Sequence, residues 1–168
     1  IGIVAALFER SLSGRGQYID IGMLDCQIAI QENAFARYFG SGEVPKALGT
    51  RHPVFTPFQA FETSDSWMVL AIIGGVTDQW PLFCATIDRI DLIDEPDFAT
   101  GGLRTEHYDR LEPILSTELR KRTTDEWVEA FQAVDIACGP VNTIDKVVQD
   151  PQVNHREMVI DVPDDANG

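Results

Sequence analysis

Positive charge is scarce in this chain. Its 168 residues hold 13 Lys and Arg against 27 Asp and Glu, a formal net charge of −14. Nucleic-acid binding needs a basic stripe that displaces counterions, and an anionic membrane surface attracts basic segments. Neither partner suits this balance, and the acidity reads as solubility. Long apolar runs are also missing. No stretch approaches the ~18 residues of a membrane helix, and no basic-then-apolar leader is visible. A cytoplasmic protein without a membrane partner is expected. Cysteine is limited to Cys26, Cys84 and Cys138, with no CxxC pair; these read as buried small hydrophobes in a reducing compartment. His52, His107 and His155 are equally scattered, so no cluster has zinc spacing and no metal site is expected. There is no GxSxG, P-loop or GxGxxG, no internal repeat and no low-complexity run.

What is present is organised around Gly14-Arg15-Gly16-Gln17-Tyr18-Ile19-Asp20-Ile21-Gly22-Met23-Leu24-Asp25. Two glycines break the preceding helix. Tyr18, Ile19 and Ile21 favour an extended segment, and an apolar-periodic run opens at Met23. The stretch reads helix end, turn, strand, helix start, as where a strand enters a sheet between covering helices. Ile1, Ile3, Val4, Leu7 and Phe8 are already in helical rhythm with no cap before them, which reads as a chain lacking an N-terminal part. Residues 1–13 are predicted helical with an apolar face toward a core. Residues 23–39 are predicted as one helix through Leu24, Ile28, Phe35 and Phe39.

Gly42, Pro45, Gly49, Pro53 and Pro57 lie in residues 41–57, a stretch without period that reads as a linker. Beyond it, residues 58–63 and 67–73 predict an antiparallel hairpin with Ser64-Asp65-Ser66 in the turn, ending at Gly74-Gly75. A helix over 77–87, capped by Thr77 or Asp78, carries Trp80, Phe83, Cys84 and Ile87. Residues 104–121 predict a helix striped by Tyr108, Leu111, Leu115 and Leu119, kinked or split at Pro113. Thr124 is the expected cap of the next helix. Cys138-Gly139-Pro140-Val141 reads as a buried passage, 144–148 as a brief helix, Asp150-Pro151 as a turn, and 158–162 as a last strand. With 44% hydrophobic residues the chain has enough apolar surface for a packed core.

Candidate chemistry is sparse. Asp20 and Asp25 are close enough to suggest acid/base work, but pairing of Asp20 with Arg15 and a first-turn place for Asp25 account for both. His52 in the linker is a site candidate, although a lone His is more often structural. Gly74-Gly75 at a strand end would let a ligand approach backbone, and a plain turn explains it equally. The residues taken alone give an α/β piece plus an α+β domain without a visible site.

The order of motifs adds to this. Gly14-Arg15-Gly16-Gln17-Tyr18-Ile19-Asp20-Ile21 with Met23-Leu24-Asp25 resembles the GRGQ segment of the family III CoA-transferases, which include formyl-CoA and carnitine-CoA transferases and α-methylacyl-CoA racemases. Gly49-Thr50-Arg51-His52-Pro53 resembles that family's G-N-x-H-P segment, and Pro57-Phe58-Gln59-Ala60-Phe61 its P-Y-Q-x-F. Thr63-Ser64-Asp65-Ser66, Gln79-Trp80 with Leu82 and Cys84, and Thr124-Asp125-Glu126-Trp127 follow in register, as do Gly139-Pro140-Val141 and Asp150-Pro151-Gln152-Val153. Departures are Gly22 for Ser, Thr50 for Asn and Ser66 for Gly.

The resemblance implies an α+β small domain (antiparallel sheet with helices) preceded by a helix-strand-helix piece of an α/β large domain. The divisions would be residues 1–40 in the large, CoA-binding domain, 41–57 as linker, 58–162 as small domain and 163–168 as a tail or second linker. It implies CoA transfer between an acyl-CoA and a free carboxylic acid through an aspartyl anhydride and thioester, with the nucleophilic Asp upstream of Ile1 and no catalytic residue within the chain. Coenzyme A thioester would be substrate, with no permanently bound cofactor. Gly49, His52, Pro53, Gly74 and Gly75 are the candidate CoA-site residues, and an intertwined homodimer is expected of the full-length protein. A racemase of the same family is one alternative; the absence of Glu from Ile72-Ile73-Gly74-Gly75-Val76-Thr77-Asp78 favours transfer. A non-catalytic acyl-CoA binding or interaction module is the other.

Overall fold

A computed structural model describes residues 1–73 and 79–160. The chain divides into two compact units, Ile1–Ala47 and Leu48–Gly168.

The first unit is helical. α1 (Gly2–Ser13) ends at Gly14, whose left-handed φ of 73° lets its N–H return to the Arg10 carbonyl and suits glycine for want of a Cβ. Residues 15–22 belong to neither helix nor strand; Tyr18, Ile19 and Ile21 have no pairing partner among the described residues, and an extended segment becomes a strand only with one. The expected helix over 23–39 is two, α2 (Met23–Ile30) and α3 (Glu32–Ser41), parted where Gln31 N–H bonds the Ile28 carbonyl in a tightened turn. No residue of these three helices is buried, so the expected core-facing stripe of residues 1–13 is exposed. Cys26, expected to be buried, is exposed as well. Asp25 does lie in the first turn of α2. No Asp20–Arg15 ion pair occurs among the described residues.

The second unit is α+β. β1 (Phe58–Glu62) and β2 (Trp67–Ala71) form the expected antiparallel hairpin, with Phe61 opposite Met68 and Gln59 opposite Leu70. These four residues are buried, which fixes the register, because a slip by one would turn them to the other face. β3 (Ala137–Pro140) adds antiparallel to the other edge of β2. The expected buried passage at 138–141 is therefore an edge strand, half-buried at Cys138 and Gly139 and exposed at Ala137, Pro140 and Val141.

Helices cover the core face. α4 (Gln79–Thr86) contributes Trp80, Phe83 and Cys84; Gly74, Gly75 and the Thr77 or Asp78 cap lie outside the described residues. α5 (Gly101–Glu106) begins at Thr100, whose Oγ1 accepts the Leu103 N–H. α6 (Tyr108–Leu119) contains Pro113 in its interior, and the expected split falls at His107 instead. α7 (Thr124–Gln132) is capped by Thr123 rather than Thr124, in a capping box: Thr123 Oγ1 accepts the Glu126 N–H and the Glu126 carboxylate accepts the Thr123 N–H. Trp80, Phe83, Phe131 and Trp127 stack in sequence at centroid spacings of 5.7, 5.5 and 5.4 Å. Trp127 Nε1 donates to the Leu119 carbonyl at 2.7 Å, so its one polar atom is satisfied inside the core. α8 (Ile144–Val147) and α9 (Pro151–His155, capped by Asp150) follow. Met158, Val159 and Ile160 form no strand; the remainder of that expected strand and the 163–168 tail lie outside the described residues.

Candidate functional site

The glycine- and proline-bearing segment before β1 folds back on the hairpin and on α5 and α6. Gly49 turns it: a φ of +64° is a left-handed conformation that side-chain-bearing residues adopt at a cost, and Arg51 N–H closes the turn on the Leu48 carbonyl. The chain then runs beside β1. Thr50 Oγ1 accepts the Ala60 N–H at 3.1 Å, and His52 N–H donates to the Phe58 carbonyl at 2.8 Å. The Pro57 carbonyl accepts the Ile72 N–H at 2.8 Å, which ties the segment to the end of β2.

His52 is the hub of this return. Its ring stacks on Phe58 at 4.9 Å and 7° and meets Phe55 at 5.0 Å. Its Nδ1 accepts the N–H groups of Val54 and Phe55, each at 3.1 Å. With Nδ1 an acceptor, the tautomer assigned by these bonds carries its proton on Nε2. Pro53 beside it is half-buried. Gly49, His52 and Pro53 are thus brought together by one segment, while Gly74 and Gly75 fall outside the described residues.

From α5, Arg104 clips the segment in place. Its Nε donates to the Thr56 carbonyl and its Nη1 to the Phe98 carbonyl, both at 2.9 Å, and its guanidinium lies 4.5 Å over the Trp80 ring. Thr105 Oγ1 lies 3.0 Å from the Val54 carbonyl.

The sequence reading left two side chains of the segment's surroundings unassigned. Arg51 is half-buried, with its guanidinium carbon 4.0 Å over the Tyr108 ring. Its Nε is shut off from solvent and has no hydrogen-bond partner, and among the described residues no carboxylate forms an ion pair with it. Tyr108, read only as part of an apolar stripe, donates its hydroxyl to Gln59 Oε1 at 2.7 Å. Burial pushes its phenol above the ordinary value, against the Gln59 hydrogen bond, so it is a neutral donor near pH 7. Their sequence neighbours, Thr50 and His52 for Arg51 and His107 and Asp109 for Tyr108, carry no signal of this contact. Only the tertiary return of the segment puts them face to face.

At the far end of the hairpin, Asp65 Oδ1 accepts the Thr124 N–H at 2.8 Å and the Thr63 hydroxyl at 3.0 Å. The Thr124 backbone bond is the main cause holding the Asp65 carboxyl below the ordinary carboxylate value. This joins the turn to the start of α7 and serves the fold. Among the described residues no group of three or more His, Cys, Asp or Glu side chains is arranged to hold a metal ion, and no helix is long and apolar enough to cross a membrane.

The sequence profile of CoA-transferase family III matches residues 1–168. The chain belongs to that family. It is 31% identical over 160 residues to a human (Homo sapiens) succinyl-CoA:glutarate CoA-transferase, an alignment that covers 95% of this chain and 36% of the relative. It is 28% identical over 159 residues to an acetyl-CoA:oxalate CoA-transferase of Acetobacter aceti, covering 95% of this chain and 40% of the relative. Among solved structures, a CAIB/BAIF family protein from Brucella suis superposes with a TM-score of 0.82 at 29% identity, over 95% of this chain and 42% of that one. The chain thus spans about two fifths of the length of the relatives it matches.

Proposed function

We propose that this chain is the part of a CoA-transferase that moves CoA between an acyl-CoA thioester and a free carboxylic acid. The observation that supports the reading best is the family match along the whole of residues 1–168 together with relatives named as CoA-transferases. In this reading residues 1–40 are a segment of the large, CoA-binding domain, 41–57 the linker, 58–162 the small domain, and 163–168 a tail or second linker.

The chemistry is acyl transfer with a carboxylate nucleophile. An Asp outside residues 1–168 attacks the thioester carbonyl, giving a mixed anhydride and CoA thiolate. The thiolate attacks the aspartyl carbonyl, releasing the donor's carboxylate and leaving an enzyme thioester. The incoming carboxylate attacks that thioester, and the thiolate so released takes the acyl group from the second anhydride, restoring the Asp. None of these steps requires a resident cofactor.

In this reading Gly49, His52 and Pro53 form one wall against which the acyl-CoA lies, and Gly74 and Gly75 stay candidate CoA-site residues on the sequence alone. His52 is oriented for this by its two backbone hydrogen bonds and its stack on Phe58, which leave Nε2–H to point at a ligand. The full-length protein acts as an intertwined homodimer in the cytoplasm.

The test is CoA exchange between succinyl-CoA and a panel of free carboxylates. A protein extended to the relatives' length should turn over, and residues 1–168 alone should not. Turnover by residues 1–168 alone would sink the assignment of the nucleophile to a position outside this chain. An extended protein that exchanges nothing would overturn the transferase reading.

A further inference from the structure

A half-buried cation of the second unit that has no ion pair among the described residues stands beside the proposed acyl-CoA wall. Arg89 is paired with Asp91, Arg110 with Asp97 and Arg120 with Glu62, as expected in a chain with twice as many acids as bases. Arg51 is paired with no carboxylate among the described residues, although Asp109 and Glu112 lie near enough to its stacking partner Tyr108 to act on that phenol. Its Nε is withdrawn from water and closed to any ligand, which leaves the two terminal nitrogens as the groups a ligand can meet.

The geometry says what would complete it. Tyr108 occupies the face of the guanidinium at 4.0 Å, and stacking uses the π-face alone. Among the described residues no carboxylate pairs with Nη1 or Nη2, and the in-plane N–H fork of these two nitrogens matches a carboxylate in bidentate fashion. Tyr108 is itself fixed by its bond to Gln59, so the guanidinium is held in one plane before any ligand arrives. Arg51 is adjacent in sequence to His52, whose N–H bonds Phe58; the fork and the His52 ring therefore belong to one rigid return.

We propose that Arg51, held flat by Tyr108, is a specificity-determining residue that takes the distal, free carboxylate of a dicarboxylic acyl group. The inference rests on the transferase reading above. A dicarboxylic acid joined to CoA through one end keeps one negative charge on the acyl group. A chain of net charge −14 repels such a group unless a fixed cation meets it. A monocarboxylic acyl group ends in carbon and has nothing for the fork to hold.

The experiment compares wild type, Arg51→Gln and Arg51→Lys in the full-length protein. Two reactions are followed: succinyl-CoA with glutarate, and acetyl-CoA with butyrate. Losing a charge-assisted bidentate contact should lower kcat/KM for the dicarboxylic pair about 30- to 100-fold. The monocarboxylic pair should change less than about 3-fold. Arg51→Lys keeps the stem and charge but not the fork, and should fall between; it also guards against an Arg51→Gln protein that fails to fold. Equal losses on both pairs, or no loss on either, would overturn the proposal while leaving the transferase reading intact. Wild type inert on both pairs would instead count against the transferase reading. In that case the Arg51 terminal (Nη) N–H resonance of the 168-residue chain decides. Glutarate should shift it, and the uncharged diamide of glutarate should not; no shift with glutarate would overturn the proposal.

Discussion

Both units carry apolar stripes at helical spacing, and the stripes meet opposite fates. In the second unit, Leu111, Leu115 and Leu119 of α6 are almost wholly buried against the sheet and the aromatic stack. In the first, Ile3, Val4, Leu7 and Phe8 of α1 are each about half or more exposed, at 58%, 69%, 49% and 67%. A period in the sequence says that a helix has a face to cover; it does not say which residues cover it. A wide exposed stripe marks a surface that calls for a partner.

The largest effect expected from this contrast is on stability. Phe131→Ala removes a ring stacked between Phe83 and Trp127 and should cost about 3–5 kcal/mol. Phe8→Ala in α1 should cost less than about 0.5 kcal/mol. Urea unfolding followed by tryptophan fluorescence reads the second unit, where Trp67, Trp80 and Trp127 all lie, and amide exchange in α1 over the same urea series reads the first. A Phe8→Ala midpoint as depressed as that of Phe131→Ala would erase the distinction between the units.

A smaller, pH-dependent effect should separate the units as well. Asp65 is held below the ordinary carboxylate value chiefly by the Thr124 N–H, and Glu126 chiefly by the Thr123 N–H. A depressed folded-state pKa means that the charged form is favoured by folding. The contribution is complete above the unfolded value near about 4 and is lost as pH falls through the lower folded value. Asp65→Asn should therefore destabilise the second unit near pH 7, with the gap from wild type narrowing as pH falls below about 4. Thr123→Ala, which removes the cap side chain, should cost about 1 kcal/mol. An Asp65→Asn gap that stays constant with pH would remove the electrostatic account of this corner. The first unit has no helix N-cap bonded by a side chain, so the cap deletion has no counterpart there.

These contrasts also explain what the sequence disclosed. The hairpin was legible because alternation and the Ser64-Asp65-Ser66 turn are both local. The fold class and family were legible because many weak motifs kept their order over the chain. β3 was not, since Cys138-Gly139-Pro140 has little strand propensity and pairs only because β2 offers a free edge. The break at His107 rather than Pro113 was hidden because Thr100 starts α5 early and sets where its turns end. Of the candidate site, Gly49, His52 and Pro53 could be named from one motif. Arg51, Tyr108 and Arg104 could not, because their meaning lies in contacts across 48 or more positions of sequence, such as Arg104 to Thr56.

The smallest expected effect concerns Gly22, where the family resemblance has serine. Gly22 precedes α2 with φ −70° and ψ 132°, a conformation open to any residue, and provides no side-chain cap. A Cβ there would stand 2.6 Å from Asp25 Oδ2 and 3.2 Å from Asp25 Cγ. Those atoms end a flexible exposed side chain, so rotation of the Asp25 carboxylate relieves the clash. Gly22→Ser then places a hydroxyl where it can accept the N–H of Leu24 or Asp25, and serine exceeds glycine as a cap by only a few tenths of a kcal/mol. Amide exchange at Leu24 and Asp25 should slow about twofold, the equivalent of ~0.4 kcal/mol, with no change at Leu111 or Phe131. Faster exchange at Leu24 and Asp25 would mean that the Asp25 carboxylate cannot turn aside. The glycine would then be required by the close approach of that carboxylate, and the first unit would be more tightly determined at this turn than its exposed helices suggest.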